Sequence, residues 1–341
     1  MMTFLRRRRE ALVSAAAVAA ALVVGGIVIA LIGHDPIRAY GAIWRGSFGS
    51  VDDTAETLLK ATPLLLIGLG VVVAFRAGVF SIGAQGQLLL GAAFATGVGL
   101  ALSELPAPAL LPLMIAAGFL GGALWALVPG MLRAYLGINE VVVTLLMNYI
   151  AVELIAFLVN GPWRDPHAVE SWTPPVGEGG WLPIIVPSTR LHAGILVALA
   201  VTMAIAVLLF KTSQGYRLRA IGANARSATY AGISVRRQIL VAMVASGGLA
   251  GLAGMVEISG VYHRLILDIS PNYGYTAIAV ALLGRLSPVG TLLASILFAA
   301  LLVGGESLQR TERIPVAFVL MLQGLIIVGA LVGQRLTRSA S

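Results

Sequence analysis

Glu140, Thr144 and Asn148 stand four residues apart inside the apolar stretch GINEVVVTLLMNYIA, so on a helix they form one polar stripe. Polar groups at membrane depth usually face protein or water. The stripe has two possible uses: lining a solute path with hydrogen-bonding groups, or tying helices together. Glu140 is expected at the helix end and solvated. Glu153 and Glu257 also fall within apolar segments, where an ionisable group is a functional candidate by default. A paired or membrane-edge role competes for both, and Glu257 lies close in sequence to His263 and Arg264. The stretch SIGAQGQ, residues 81–87, sets Gln85 and Gln87 among glycines that permit irregular backbone, with Phe75 and Phe80 before it. Such a break is tolerated in a membrane only where it is buried or lines a cavity. A second interrupted region, 272–288, carries Asn272, Tyr273, Tyr275 and Pro288. Paired interruptions point to a transport path, and their aromatic rings suit stacking on a flat solute. Helix packing with turn residues is the plainer alternative.

Enzyme chemistry finds no foothold. The chain has no cysteine, hence no disulfide and no thiolate ligand or nucleophile. Its four histidines, His34, His167, His192 and His263, form no H-E-x-x-H metal motif. The two lysines, Lys60 and Lys211, follow Leu59 and Phe210, so neither completes a G-x-x-x-x-G-K-[ST] phosphate loop. If ATP drives this protein, it is hydrolysed on another chain, and no cofactor or metal is expected on this one.

The elements that position these residues are apolar helices. Of 341 residues, 58% are hydrophobic and 11% charged, against about a quarter charged in soluble domains. Strand-sized alternation is absent, so the chain reads as an all-α polytopic membrane protein. The spans are expected at 11–33, 58–75, 79–102, 107–130, 140–160, 191–210, 239–259, 272–285, 288–305 and 315–333. Residues 272–285 are too short to cross about 30 Å of hydrocarbon, so 272–305 can be a re-entrant hairpin. About ten helices follow, within a range of eight to eleven. The amino terminus, MMTFLRRRRE, precedes an apolar run from Ala11 to Ile32 that is longer than the roughly 7–15 residues of a cleavable signal. It reads as a retained first helix.

With both termini cytoplasmic, fifteen of the 23 lysines and arginines fall inside and eleven of the 15 acids outside, which satisfies the positive-inside rule. The net charge of +8 therefore marks a membrane face, not a nucleic-acid partner. The whole chain, 1–341, is read as one transmembrane domain with an extracytoplasmic loop at 161–190. There Trp163, Trp172 and Trp181 are loop or interface anchors, or a docking surface. Gly247 and Gly251 in the run GGLAGLAG have the G-x-x-x-G spacing of close helix packing.

Residues 211–237 break the apolar pattern with six basic residues and no acid. Inserting them would cost roughly 15–20 kcal/mol on the translocon scale, so the segment is expected in the cytoplasm. Asn224 is placed to cap a helix over Ala225–Ala231, and Gly232 to end it. Gly222 precedes the cap, and Ala225, Ala228 and Ala231 repeat every three residues. Two helical turns with so little side chain are marginal alone and suit a peg held in another protein's groove, although a merely basic inside loop is the bland alternative.

That segment, GYRLRAIGANARSATYAGISV, resembles the cytoplasmic loop of ABC-importer permeases of the branched-chain amino acid, ribose and nucleoside group. Three other stretches agree: FRAGVFSIGAQGQLLLGA at 75–92, GINEVVVTLLMNYIA at 137–151, and GYTAIAVALLGRLSPVGTLLASILFAALLVGG at 274–305. The second is similar to the nucleoside branch, whose permeases work with basic membrane lipoproteins. Ser81 and Gln85 depart from the usual Asn and Glu, and Ser227-Ala228 from the usual Ala-Ala pair. The resemblance implies a multi-pass permease of the cell membrane, bacterial in setting, in contact with lipid. It implies a second permease subunit (a copy or a paralogue), cytoplasmic ATPases carrying ATP and magnesium, and an extracytoplasmic solute-binding protein. The ATPases would grip Gly215, Arg217, Arg219, Gly222, Asn224, Arg226, Ala228 and Gly232. The path would involve Phe75, Phe80, Gln85, Gln87, Thr144, Asn148, Asn272, Tyr273 and Tyr275. Nucleosides are the expected solute, simple sugars such as ribose the next. A proton-coupled secondary transporter using Glu153 or Glu257 is the rival from another class.

Overall fold

A computed structural model describes residues 2–315 and 317–339; the side chains of 2–15, 17, 330, 331 and 333–339 lie outside that description, and with them Arg6 to Arg9, Arg335 and Arg338. The described chain is helical apart from loops and two isolated β-bridges. The helices are α1 (Met2–Leu31), α2 (Pro36–Phe48), α3 (Val51–Arg76), α4 (Ala84–Ala101), α5 (Ala107–Leu136), α6 (Glu140–Asn160) and α7 (Gly194–Lys211). They continue with α8 (Ser213–Ala223), α9 (Ala225–Tyr230), α10 (Val235–Glu257), α11 (Tyr273–Leu283), α12 (Pro288–Glu312) and α13 (Ala317–Ser339). Two compact units form, Met1–Ala61 with Ile296–Ser341, and Thr62–Ser295.

In the first unit, α1 and α2 meet at a bend of 119°. Asp35 sets the corner: its carboxylate accepts from Ile37 N at 2.8 Å, with Pro36 at the first helical position. Helix α2 buries Ala39, Ala42, Ile43, Gly46 and Ser47, one face of a helix. Ser47 Oγ donates to the Ala300 carbonyl at 2.6 Å. Sequence patterning had left 36–48 as an outside loop, because so small an apolar face resembles no span. Gly25 of α1 admits Leu322 and Phe318 of α13.

The second unit is built on α10, which lies against α5 and α4 with backbones in contact. A methyl group on Gly251 would drive into the Gly118 carbonyl oxygen and the Gly122 backbone, and one on Gly91 into Gly251 itself. The G-x-x-x-G run is therefore a packing seam. Loops sort to two ends of this unit. At one, the Arg76 side chain donates through Nε to Leu286 O at 2.8 Å, Gly222 rests on the Arg76 carbonyl, and Arg133 pairs with Glu140 at 3.2 Å. At the other, Trp163 covers Gly97, Val176 covers Gly99, and Thr173 N donates to Leu265 O. All loops assigned by charge to the inside meet at the first, basic end; the 161–190 loop closes the second.

Seven helices among the described residues are long and apolar enough to cross a membrane, namely α3, α4, α5, α6, α7, α10 and α12, or eight if α1 and α2 form one bent span. This falls short of the ten segments expected. The difference lies in α11, whose 11 residues reach about 16 Å, half a bilayer, in α13, whose apolar part is only Ala317–Gly329, and in α1, which passes only together with α2. Expected segments 11–33 and 315–333 are helical, as parts of α1 and α13.

Gly251→Leu is expected to destabilise the folded protein by about 3 kcal/mol or more, because α5 must move away from α10. Gly324→Leu in α13, with nothing within 4 Å of its added Cβ, is expected to be close to neutral. Thermal unfolding in detergent compares the two.

Candidate functional site

Helix α3 stops at Arg76, and α4 does not begin until Ala84. Between them the chain is extended, and its backbone N–H groups need acceptors. Helix α6 supplies them. Phe80 N donates to Glu140 Oε1 at 3.2 Å, Ile82 N to Thr144 Oγ1 at 3.1 Å, and Gly86 N to Asn148 Oδ1 at 2.9 Å. Asn148 Nδ2 donates in return to Ile82 O at 2.9 Å and to Tyr275 Oη at 3.1 Å. The broken segment thus tracks two turns of α6, about 12 Å, held by one side chain per turn. All three stripe residues are buried. In this structure the stripe ties α6 to the broken segment. The expectation that Glu140 is solvated is corrected: it is 5% exposed, because Arg133 and the Phe80 amide cover its carboxylate.

The second break meets the first at Gln85. Its Oε1 accepts from Gly274 N at 3.0 Å and from Ser270 Oγ at 3.2 Å, and Ser270 Oγ accepts from Tyr273 N at 3.1 Å. Two of the orphan donors at the start of α11 are thereby satisfied. Gly274 has no room for a side chain, since an added Cβ would collide with the Gln85 backbone. Gln87 and Tyr273 are also buried, while Phe80, Asn272 and Tyr275 are exposed. Phe75 is half-buried, edge-on to Phe80 at 5.0 Å. The structure brings most of the expected path residues together; Asn148 and Gln85 spend their amide groups largely on backbone, while Gln87 Oε1 is buried with no hydrogen-bond partner among the described residues. Glu257 is buried and partnered.

At the basic end, α8 extends the expected short helix by an 11-residue neighbour. Its two glycines, seven residues apart, share a face: Gly215 lies on the α7 backbone at Leu208 and Leu209, Gly222 on the end of α3. Leu218 and Ile221 complete that buried face. Arg219 is half-buried, its guanidinium 5.5 Å from the Phe210 ring that Arg76 also approaches, at 5.4 Å. Helix α9 follows as the sequence suggested. Asn224 Oδ1 accepts from Ser227 N at 3.1 Å. Gly232, at φ 76°, closes the end with Gly232 N to Thr229 O and Ile233 N to Ala228 O, both 3.0 Å. Ala228 turns inward at 4% exposure, so it is packing; Ala225, Arg226, Ser227, Thr229, Tyr230 and Ala231 are exposed, as is Arg217 of α8. Tyr230, at 92% exposure, was not among the residues expected from sequence. Its signal was being the lone aromatic in an Ala, Ser and Thr helix.

At the opposite end all three tryptophans of the long loop engage the protein. Trp163 covers Gly97, Trp172 lies under the Arg264 guanidinium at 4.8 Å, and Trp181 stacks on His263 at 4.1 Å. Burial, then the nearby charges of His263 and Arg190, lower His192 to about 4. His263 is lowered by burial and by Arg264. Both rings are neutral at pH 7 and act as wedges under the loop. No group of three or more His, Cys, Asp or Glu suited to a metal occurs among the described residues.

An apolar bundle broken twice, with a small capped helix projecting from its basic end, has the parts of a transport permease. Residues 54–331 match the family model described as branched-chain amino acid transport system / permease component. The chain belongs to this family. It is 38% identical to the glucose ABC transporter permease protein of Haloferax volcanii, over 89% of this chain and 82% of that one. It is 36% identical to the guanosine ABC transporter permease protein NupP of Bacillus subtilis, over 85% and 84%. To the nucleoside ABC transporter permease protein NupB of Lactococcus lactis it is 31% identical, over 89% and 85%. No solved structure matches. The permease is a membrane protein and a transport subunit.

Asn148→Leu removes acceptors and donors from Gly86 N, Ile82 O and Tyr275 at once. It is expected to lower stability by about 3 kcal/mol, since each orphaned buried group costs about 1–3. Thr202→Val should change little, because Thr202 Oγ1 bonds only Ala198 O of its own helix. Unfolding midpoints of the purified permease measure both.

Proposed function

We propose that this permease is the solute-conducting subunit of an ATP-driven importer for nucleosides, with its termini and α9 in the cytoplasm of the cell. The observation that carries the solute is the identity of 36% and 31% to permeases named for guanosine and nucleosides, over most of each chain. Glucose is the second reading, favoured by the 38% identity to the Haloferax volcanii protein. A second permease subunit, a copy or a paralogue, completes the channel, and an extracytoplasmic binding protein delivers solute. The family membership favours an ATP-driven machine over a proton-coupled one, with ATP and magnesium held on partner ATPases.

The ATPase would hold α9 by the Tyr230 ring and by Arg226 and Arg217, while Gly215, Gly222, Ala228 and Arg219 fix the pedestal beneath. Asn224 and Gly232 shape the ends of the peg. Exposure supports this division: a tyrosine 92% exposed on a capped two-turn helix is the kind of aromatic anchor that dominates protein interfaces.

Two measurements on the assembled transporter in proteoliposomes test the proposal. ATP-dependent uptake of labelled guanosine is expected, with glucose excluded; glucose accumulation without nucleoside uptake would overturn the solute. Tyr230→Ala is expected to weaken ATPase association by about 2 kcal/mol, roughly 30-fold, with the permease still inserted. Unchanged co-purification and unchanged solute-stimulated ATP turnover would remove α9 from the interface.

A further inference from the structure

Helix α6 has two faces of opposite use. The inward face, Glu140, Thr144, Met147, Asn148, Ala151, Ile155 and Val159, is consumed by packing and by the broken segment. The outward face carries Leu146, Tyr149, Ile150 and Phe157, each more than half exposed, and among them Glu153, also exposed. At 3.6 residues per turn Glu153 stands about 180° from the centre of the buried face. It makes no hydrogen bond or ion pair among the described residues. Seven residues separate it from Asn160 at the end of α6, about 10 Å. A glutamate lacks the long stem that lets lysine or arginine reach the interface from such a depth.

A carboxylate fully turned to lipid at that depth is unfavourable, and ionisable groups there face protein or a water-filled cavity. The contrast with α7 is direct: its exposed residues Leu196, Leu199, Met203 and Val207 are all apolar, as a lipid-facing surface requires. Above and below Glu153, at four-residue spacing, stand Tyr149 and Phe157, 66% and 64% exposed. A hydrogen-bond acceptor between two aromatic rings is suited to a solute with hydroxyl donors and flat or apolar faces. Of the amides that the breaks bring to membrane depth, Asn148 and Gln85 already serve backbone groups, and Gln87, whose Oε1 has no hydrogen-bond partner among the described residues, is buried at 1% exposure. Glu153 is uncommitted.

We propose that the outward face of α6 borders the water-filled solute path, and that Glu153 accepts hydrogen bonds from the hydroxyl groups of the solute as it passes between Tyr149 and Phe157. The vicinal diol of a ribose fits the two carboxylate oxygens; the rings cover the faces of base and sugar. This deepens the transport reading and rests on it, though not on which solute is carried.

The absence of cysteine from the chain allows single thiols to be placed without a background. Glu153→Cys, Tyr149→Cys and, as control, Leu199→Cys are assembled into the full transporter in proteoliposomes and exposed to a charged, lipid-insoluble methanethiosulfonate. The first two are expected to label at least about tenfold faster than the control, as water-lined positions do. Equal, slow labelling of all three would assign the α6 face to lipid. Slow labelling with oxidative cross-linking of Glu153→Cys to the second permease subunit would assign it to a subunit contact. Either outcome overturns the proposal. Glu153→Gln is expected to raise the KM for solute uptake about tenfold, the value of a charged hydrogen bond; an unchanged KM removes the ligand role even if the face is wet. The labelling needs no solute, so a failure of the nucleoside assignment, seen as glucose uptake by the unmodified transporter, leaves its result readable.

Discussion

A backbone that leaves the helix inside a membrane must find partners for its N–H and C=O groups, because an orphaned pair costs several kcal/mol where no water can take its place. The permease leaves the helix twice, at 77–83 and at 263–272, and the arrangement of its second unit follows from how those groups are satisfied. Helix α6 offers one polar side chain per turn at the spacing needed to run beside an extended segment. Gln85, at the start of α4, takes the first free amide of α11. Two breaks far apart in sequence are thereby joined at Asn148 and Gln85, with Tyr275 closing the circuit. Helices α4 and α11 start from this junction, where Asn148, Ser270 and Gln85 accept from first-turn amides.

The junction can be placed so tightly because its surroundings are small. The glycines of α10 bring its backbone against α4 and α5. The same device recurs at the basic end, where Gly222 lets α8 rest on the last carbonyl of α3, and Arg76 of that same turn holds Leu286 beyond α11. The pedestal of α9 is therefore in direct contact with Arg76, the residue that ends α3 and holds the turn after α11. At Gly222 backbone meets backbone, so no side chain there separates α8 from the end of α3 where the 77–83 break begins. This is a packed mechanical connection between the exposed helix and the membrane interior.

Much of this was legible in the residues. The Glu140, Thr144, Asn148 spacing announced a stripe, SIGAQGQ a break, the shortness of 272–285 a half-span, and Asn224 with Gly232 a capped two-turn helix. What the residues could not announce was which long-range partner each would take. The stripe's acceptors serve amides some 60 positions earlier, so its choice between glue and path was undecidable from α6 alone. Glu140 read as solvated because its cover comes from Phe80 and from Arg133 of the preceding helix. The backbone that Gly215 and Gly222 rest on could not be read, because a glycine's neighbours are invisible in sequence. Helix α2 is not legible although Asp35-Pro36 is a good start signal, since its buried face, Ala39, Ala42, Ile43, Gly46 and Ser47, is made mostly of small residues.

Gln85 is where the resemblance and the geometry inform each other. The pattern this chain resembles has Glu at that position, and here a neutral amide accepts from Gly274 N at the first turn of α11. A helix start carries a partial positive charge that favours an anion, so a glutamate would gain there, but it would have to be desolvated between two helices. Glutamine keeps the one acceptor oxygen the α11 amide needs and gives up the charge. Two acids remain along the spans of the second unit, Glu257, buried with a partner, and Glu153, exposed on α6. The buried carboxylate of Glu257 is engaged and Asn148 and Gln85 bind backbone, whereas Glu153 stands exposed between exposed aromatic rings. A permease for neutral, hydroxyl-rich molecules needs little more: a path that binds weakly along its length lets solute leave as readily as it enters, and affinity is left to the protein that delivers it.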